Sequence, residues 1–107
     1  MNDAIIVGKS GEKYLFEYSA ISNIHIAKAP AVYIFVRRVK DNRVNPPEKY
    51  YAAFDAFGIE KSVEFNQLKH SELATGFLCR LCNDKDEVNS ILDDLEEKDK
   101  LVITDAV

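Results

Sequence analysis

The chain has no tryptophan, one methionine, two cysteines, two histidines, three prolines and four glycines among its 107 residues. Each scarcity excludes something. Two cysteines lying close together, Cys79 and Cys82, cannot be the framework of a disulfide-stapled secreted domain. Without a second pair of thiols, Cys79-Arg80-Leu81-Cys82 also falls short of a zinc site, and a separation of three on a strand turns the two side chains to opposite faces. His25 and His70 are far apart in sequence and give neither ligand spacing nor a base beside a nucleophile. No apolar run approaches the roughly 20 residues that cross a bilayer. Met1 to Gly8 has neither the basic start nor the apolar length of a signal peptide. A positive excess is missing too: 14 Lys and Arg face 18 Asp and Glu, a net charge of −4, which argues against generic affinity for nucleic acid or anionic membrane. The expectation is one cytoplasmic domain over residues 1–107, with reduced cysteines and no membrane association.

What is present suits a folded domain, since 47% of residues are hydrophobic and 30% charged, close to ordinary globular usage. Ala4-Ile5-Ile6-Val7, the turn residues Gly8-Lys9-Ser10-Gly11, and the alternating Tyr14, Phe16 and Tyr18 predict a hairpin with one aromatic face turned inward. Ser19 to Ala29 fits no period and reads as a connector, ended by Pro30. Ala31-Val32-Tyr33-Ile34-Phe35-Val36 predicts a central strand buried on both faces, with Tyr50-Tyr51-Ala52-Ala53-Phe54 returning as its antiparallel partner beyond a polar tip. Ile59, Val63, Phe65, Leu68 and Leu73 predict a helix of imperfect amphipathicity, and Phe77 to Cys82 a short strand. Val88, Ile91, Leu92 and Leu95 then mark the inward stripe of a closing helix, with Asp93, Asp94, Glu96 and Glu97 facing out. Leu101-Val102-Ile103 suits a last edge strand. The fold class expected is α+β, a small, mostly antiparallel sheet flanked by helices.

Gly8-Lys9-Ser10 suggests a phosphate loop, but Asp3 stands where that motif needs its first glycine, and a strand follows where it needs a helix. It reads as a hairpin turn. Arg37, Arg38, Lys40 and Arg43 gather near the polar tip with Lys49, opposed there by Asp41 and Glu48, and are the candidate nucleic-acid contacts. Together with the acidic closing helix they would make the molecule electrically bipolar, able to associate head to tail or to bind a basic partner.

Taken in order, Ala31-Val32-Tyr33-Ile34-Phe35, the return Tyr50-Tyr51-Ala52-Ala53, a helical stretch, a strand and a closing helix resemble the GIY-YIG nuclease family. The resemblance implies two tyrosines on adjacent antiparallel strands, an arginine on the following helix, and a glutamate on a later helix that holds a divalent metal. Tyr33 matches the first tyrosine and Tyr51 the second, with Ala53 standing where the family has glycine. The arginine's place holds Glu60, Lys61, Ser62 and Val63. Lys61 supplies charge without the planar fork of a guanidinium, and His70 is the counterpart of the family's later histidine if an insertion is allowed. The metal-binding glutamate falls near Ile91 on the apolar stripe, which leaves only Glu87, at the helix start, as an outside candidate.

A nuclease without its metal carboxylate and its cationic partner loses the stabilisation of phosphoryl-transfer charge. The resemblance therefore implies a degenerate, catalytically incomplete member with no metal or cofactor, acting as a binding or interaction module toward a protein or a nucleic acid. Two other readings stand beside it. One is a divergent Mg²⁺-dependent endonuclease using Tyr33, Tyr51, Lys61 and Glu87. The other is an acidic inhibitor or immunity-type protein binding a basic surface through the helix carboxylates. Homo-oligomerisation is compatible with all three.

Overall fold

A computed structural model describes residues 3–21, 26–41, 43, 48–64, 68, 72–97 and 100–105. Backbone and burial are built around one strand. β4 (Ala31–Asp41) has every residue from 31 to 36 buried, as its continuous β-branched and aromatic run requires. It pairs antiparallel with β5 (Glu48–Ile59) on one side and β7 (Gly76–Leu81) on the other. β7 pairs with β2 (Lys13–Ala20), β2 with β1 (Asp3–Val7), and β1 with the edge strand β8 (Val102–Asp105), every pairing antiparallel. The six-stranded order is β5-β4-β7-β2-β1-β8. Its two ends meet, because the Tyr51 hydroxyl on β5 donates to Asp105 Oδ1 on β8 at 2.6 Å. The sheet is thus curled, with a concave and a convex face.

The concave face holds α1 (Lys85–Asp94), capped by Asp84, whose carboxylate accepts from the Glu87 backbone N–H. Val88, Ile91 and Leu95 enter a core with Ile6, Phe16, Ile34, Val36 and Leu78, so the predicted stripe is the buried one. Tyr14, Phe16 and Tyr18 of β2 face this side as alternation required. On the convex face Tyr33, Phe35 and Phe77 form a second, smaller cluster with Phe54 and Phe57, and Tyr33 stacks on Phe57 at 6.0 Å. A two-stranded ribbon, β3 (Ile26–Ala27) with β6 (Val63–Glu64), accompanies it, Ala27 and Val63 joining that second cluster.

The helix expected between Gly58 and Thr75 is corrected over residues 58–64, while residues 65–67 and 69–71 lie outside the described residues. β5 runs on to Ile59, and β6 follows at Val63–Glu64. Val63 reaches the convex cluster by pairing with Ala27, and a β-branched residue flanked by short polar segments meets that need better in a ribbon than in a weakly amphipathic helix. The fold among the described residues therefore has one helix on one face of the sheet. Among the described residues no helix is long and apolar enough to cross a membrane.

Asp94 is the second correction. Although grouped with the solvent-facing acids, it is half-buried and fastens the β1–β2 turn to the end of α1. It accepts from the Ser10 N–H at 2.9 Å, the Ser10 hydroxyl at 2.6 Å and the Tyr14 hydroxyl at 2.7 Å, while its carbonyl accepts from the Lys9 N–H. Gly8 is the residue at that contact with no room for a side chain, since an added Cβ would collide with the Asp94 carboxylate. The Gly8-Lys9-Ser10 segment is thus a turn that grips a helix end. These hydrogen bonds, Ser10 first and Tyr14 next, hold the Asp94 carboxyl below its ordinary value. The stability it contributes is complete above the unfolded-state value and is lost as pH falls through the lower folded one. Asp94→Asn is expected to lower the midpoint of thermal unfolding at pH 7, and the gap from the parent protein should narrow at pH 3. Circular dichroism melts at both pH values check this, and a gap unchanged at pH 3 would refute it.

Candidate functional site

The residues singled out from the sequence separate onto two faces. Tyr33 lies on the convex face, 1% exposed, and its hydroxyl donates to the Lys28 carbonyl at 3.0 Å. Tyr51 lies on the concave side, packed against the other cluster. The cause is a one-residue irregularity. Ile34 pairs with Ala56 but Val36 pairs with Ala53, so Phe54 and Asp55 together oppose Phe35. One extra residue in β5 moves everything beyond it to the other face. Continued without that bulge, the register would put Tyr51 on the face of Tyr33.

Tyr51 instead meets Arg38, which pairs with it across the strands and whose guanidinium lies 5.7 Å from its ring and 5.3 Å from that of Tyr18. Asp105 completes the group, 3.5 Å from the guanidinium and bonded to the Tyr51 hydroxyl. Burial, then the Asp105 hydrogen bond, push the Tyr51 hydroxyl up to about 12. A cation held between two aromatic faces and one carboxylate is a closing device for the curled sheet. Neither Tyr18 nor Asp105 carried any functional signal in the sequence. Tyr18 was visible as part of an aromatic face, and Asp105 was not visible at all.

Of the other basic candidates, Arg37 does not share a patch with Arg38. Arg37, the next residue, points to the opposite face, is exposed, and donates to the Leu73 carbonyl at 3.3 Å. Arg43 is exposed. The Lys40 side chain, His25 and His70 lie outside the described residues. Lys61 is exposed in the turn between β5 and β6, and Glu87, on the first turn of α1, accepts from the Asn83 amide at 3.1 Å. Among the described residues no group of three His, Cys, Asp or Glu is placed to hold a metal ion.

Tyr33 borders an open cavity of about 470 Å³ on the convex face, beside the end of the second cluster. Its floor includes Tyr33, Phe77 and Cys79, and its lips include Leu15 and Leu81, which are 50% and 59% exposed. Asp3, Glu17 and Lys28 bring charge to it. Burial raises the Cys79 thiol above its ordinary value and pushes the Tyr33 hydroxyl well above the ordinary phenol range. At neutral pH both are therefore protonated, leaving neither a thiolate nor a phenolate as nucleophile or base. Cys82, beyond the end of β7, packs against the other cluster, so the two cysteines do face opposite ways and both are free. The cavity can bind through its apolar walls and charged rim.

No family model, curated protein or solved structure matches this chain.

Proposed function

We propose that this chain is a recognition module on a scaffold resembling the GIY-YIG nucleases, and that it does not cut nucleic acid. The observation that carries the reading is the cavity bordered by half-exposed Leu15 and Leu81 on the convex face. Large aliphatic side chains exposed around a concavity favour contact with a partner, because covering them removes apolar surface from water. The chemistry around Tyr33 supports binding over cleavage. Tyr33 is separated from Tyr51 by the thickness of the sheet, its hydroxyl is engaged by the Lys28 carbonyl, and no described carboxylate trio is available to a divalent ion. Two groups on opposite faces cannot act on one phosphodiester.

Incubation with supercoiled plasmid in Mg²⁺ or Mn²⁺ tests this. The plasmid is expected to stay closed at any protein concentration. Nicking that disappears in Tyr33→Phe or Tyr51→Phe would replace the recognition reading with a nuclease.

A further inference from the structure

We propose that the convex-face cavity is a socket for a basic side chain, a lysine or arginine presented by a partner protein. This rests on the reading of the chain as a recognition module and names the chemistry it would recognise. Strand register sets out the cavity in a row: Asp3 stands opposite Glu17, Glu17 opposite Cys79, and Cys79 opposite Tyr33. Two carboxylates are therefore neighbours across adjacent strands on one face. Like charges so placed repel and weaken the pairing. Neither Asp3 nor Glu17 has an ion-pair or side-chain hydrogen-bond partner among the described residues. A cation seated between them relieves the repulsion and gains both attractions.

The remaining walls suit the rest of such a side chain. Lysine and arginine carry a charged head on an apolar stem. With the head at Asp3 and Glu17, the stem lies along Leu15 and Leu81, the exposed aliphatic lips. The uncharged floor of Cys79 and Tyr33, with Phe77 packed at 5.7 Å from Tyr33, covers the inner side. The volume is within the range of ligand pockets and leaves room for a flanking residue. Of the two cations that line the cavity, Arg80 is turned away, its guanidinium lying over the Tyr14 ring on the concave side. The Lys28 backbone lies at the Tyr33 end, where its carbonyl receives the Tyr33 hydroxyl. With Arg80 turned away, two carboxylates face one ammonium on the lining, and this negative balance, carried by Asp3 and Glu17, favours a basic residue there.

Titration of the ¹⁵N-labelled protein, followed by amide shifts, tests the socket with four probes: the N-acetyl amides of lysine, arginine, glutamate and leucine. The lysine and arginine probes are expected to give saturable shifts centred on Asp3, Leu15, Glu17, Cys79 and Leu81. Affinity should fall at least tenfold in the Asp3→Asn, Glu17→Gln double variant and hold or improve in Lys28→Gln. Because the double variant removes a like-charge pair, it should melt no lower than the parent protein, so its loss of binding is not a loss of fold. Cationic shifts that are absent, unchanged in the double variant, or confined to the acids of α1 would overturn the proposal. So would equal binding of the leucine probe, or a preference for the glutamate probe that Lys28→Gln removes. Tyrosine-dependent plasmid nicking would sink the recognition reading and leave this titration to be judged by itself.

Discussion

Ile91→Glu is expected to unfold the domain rather than equip it with a metal ligand. Position 91 is where the resemblance to GIY-YIG nucleases would place its metal-binding glutamate. Ile91 is 3% exposed and lies in the concave core with Val88, Leu95, Ile34 and Val36. Removing the isoleucine packing costs about 2–5 kcal/mol, and burying a carboxylate without a partner adds several kcal/mol more. Against a total stability of about 5–15 kcal/mol for a domain, the sum is decisive. Ile91→Val, which keeps the shape, should cost only about 1 kcal/mol. The penalty has a pH signature. A glutamate forced into this core has its folded-state value raised, so the variant is least unstable below the unfolded-state value and worsens as pH rises through the folded one. Far-ultraviolet circular dichroism of Ile91→Glu should show a folded fraction that grows toward pH 4 and no cooperative melt at pH 7. A variant that melts like the parent at pH 7 and binds Mn²⁺ would mean that this helix faces a polar site, and the metal-dependent endonuclease reading would return.

Ile91 could be placed in the core from sequence because helical periodicity is local: four apolar residues in eight positions decide which side of α1 is buried. β4 was legible for the same reason, since a run from Ala31 to Val36 with no polar break has no face to give to water. The site was less legible because it depends on pairing. Whether Tyr33 and Tyr51 meet is decided by the extra residue opposite Phe35, and Phe54-Asp55 carries no glycine or proline to announce a bulge. Asp94 was misassigned because it sits just beside the apolar stripe, where a helix residue faces solvent or a neighbouring loop according to what the loop offers. Here the loop offers the Ser10 hydroxyl and amide. Asp3 and Glu17 are fourteen residues apart in the chain, and only the β1–β2 register makes them neighbours. The antiparallel pairing of β4 with β5 and the inward stripe of α1 were thus within reach of the sequence, while the cavity was a product of register.

Gly58→Ala is expected to push α1 off the sheet, and Val88→Ala should restore it. Gly58 of β5 stands opposite Val32, where Val88 and Leu92 of α1 lie against it. A Cβ there would fall inside contact distance of the Val88 Cγ1 and 3.2 Å from the Leu92 Cδ1. Alanine by itself favours a strand over glycine by about 0.5–1 kcal/mol, so with open space the substitution would stabilise. Overpacking a well-filled core costs about 1–3 kcal/mol, and the clash should win because valine has little rotamer freedom on a helix. Val88 cannot turn its methyl aside, and the helix must move. Val88→Ala alone leaves a cavity and costs about 2 kcal/mol by the same logic as other core truncations. In the double variant the new methyl occupies space the old one vacated, so the two costs should fall short of their sum by about 1 kcal/mol or more. Urea unfolding of the four proteins in this cycle measures the coupling. Strict additivity would show that the helix does not contact β5 through this pair, and the concave packing that buries Ile91 would have to be redrawn.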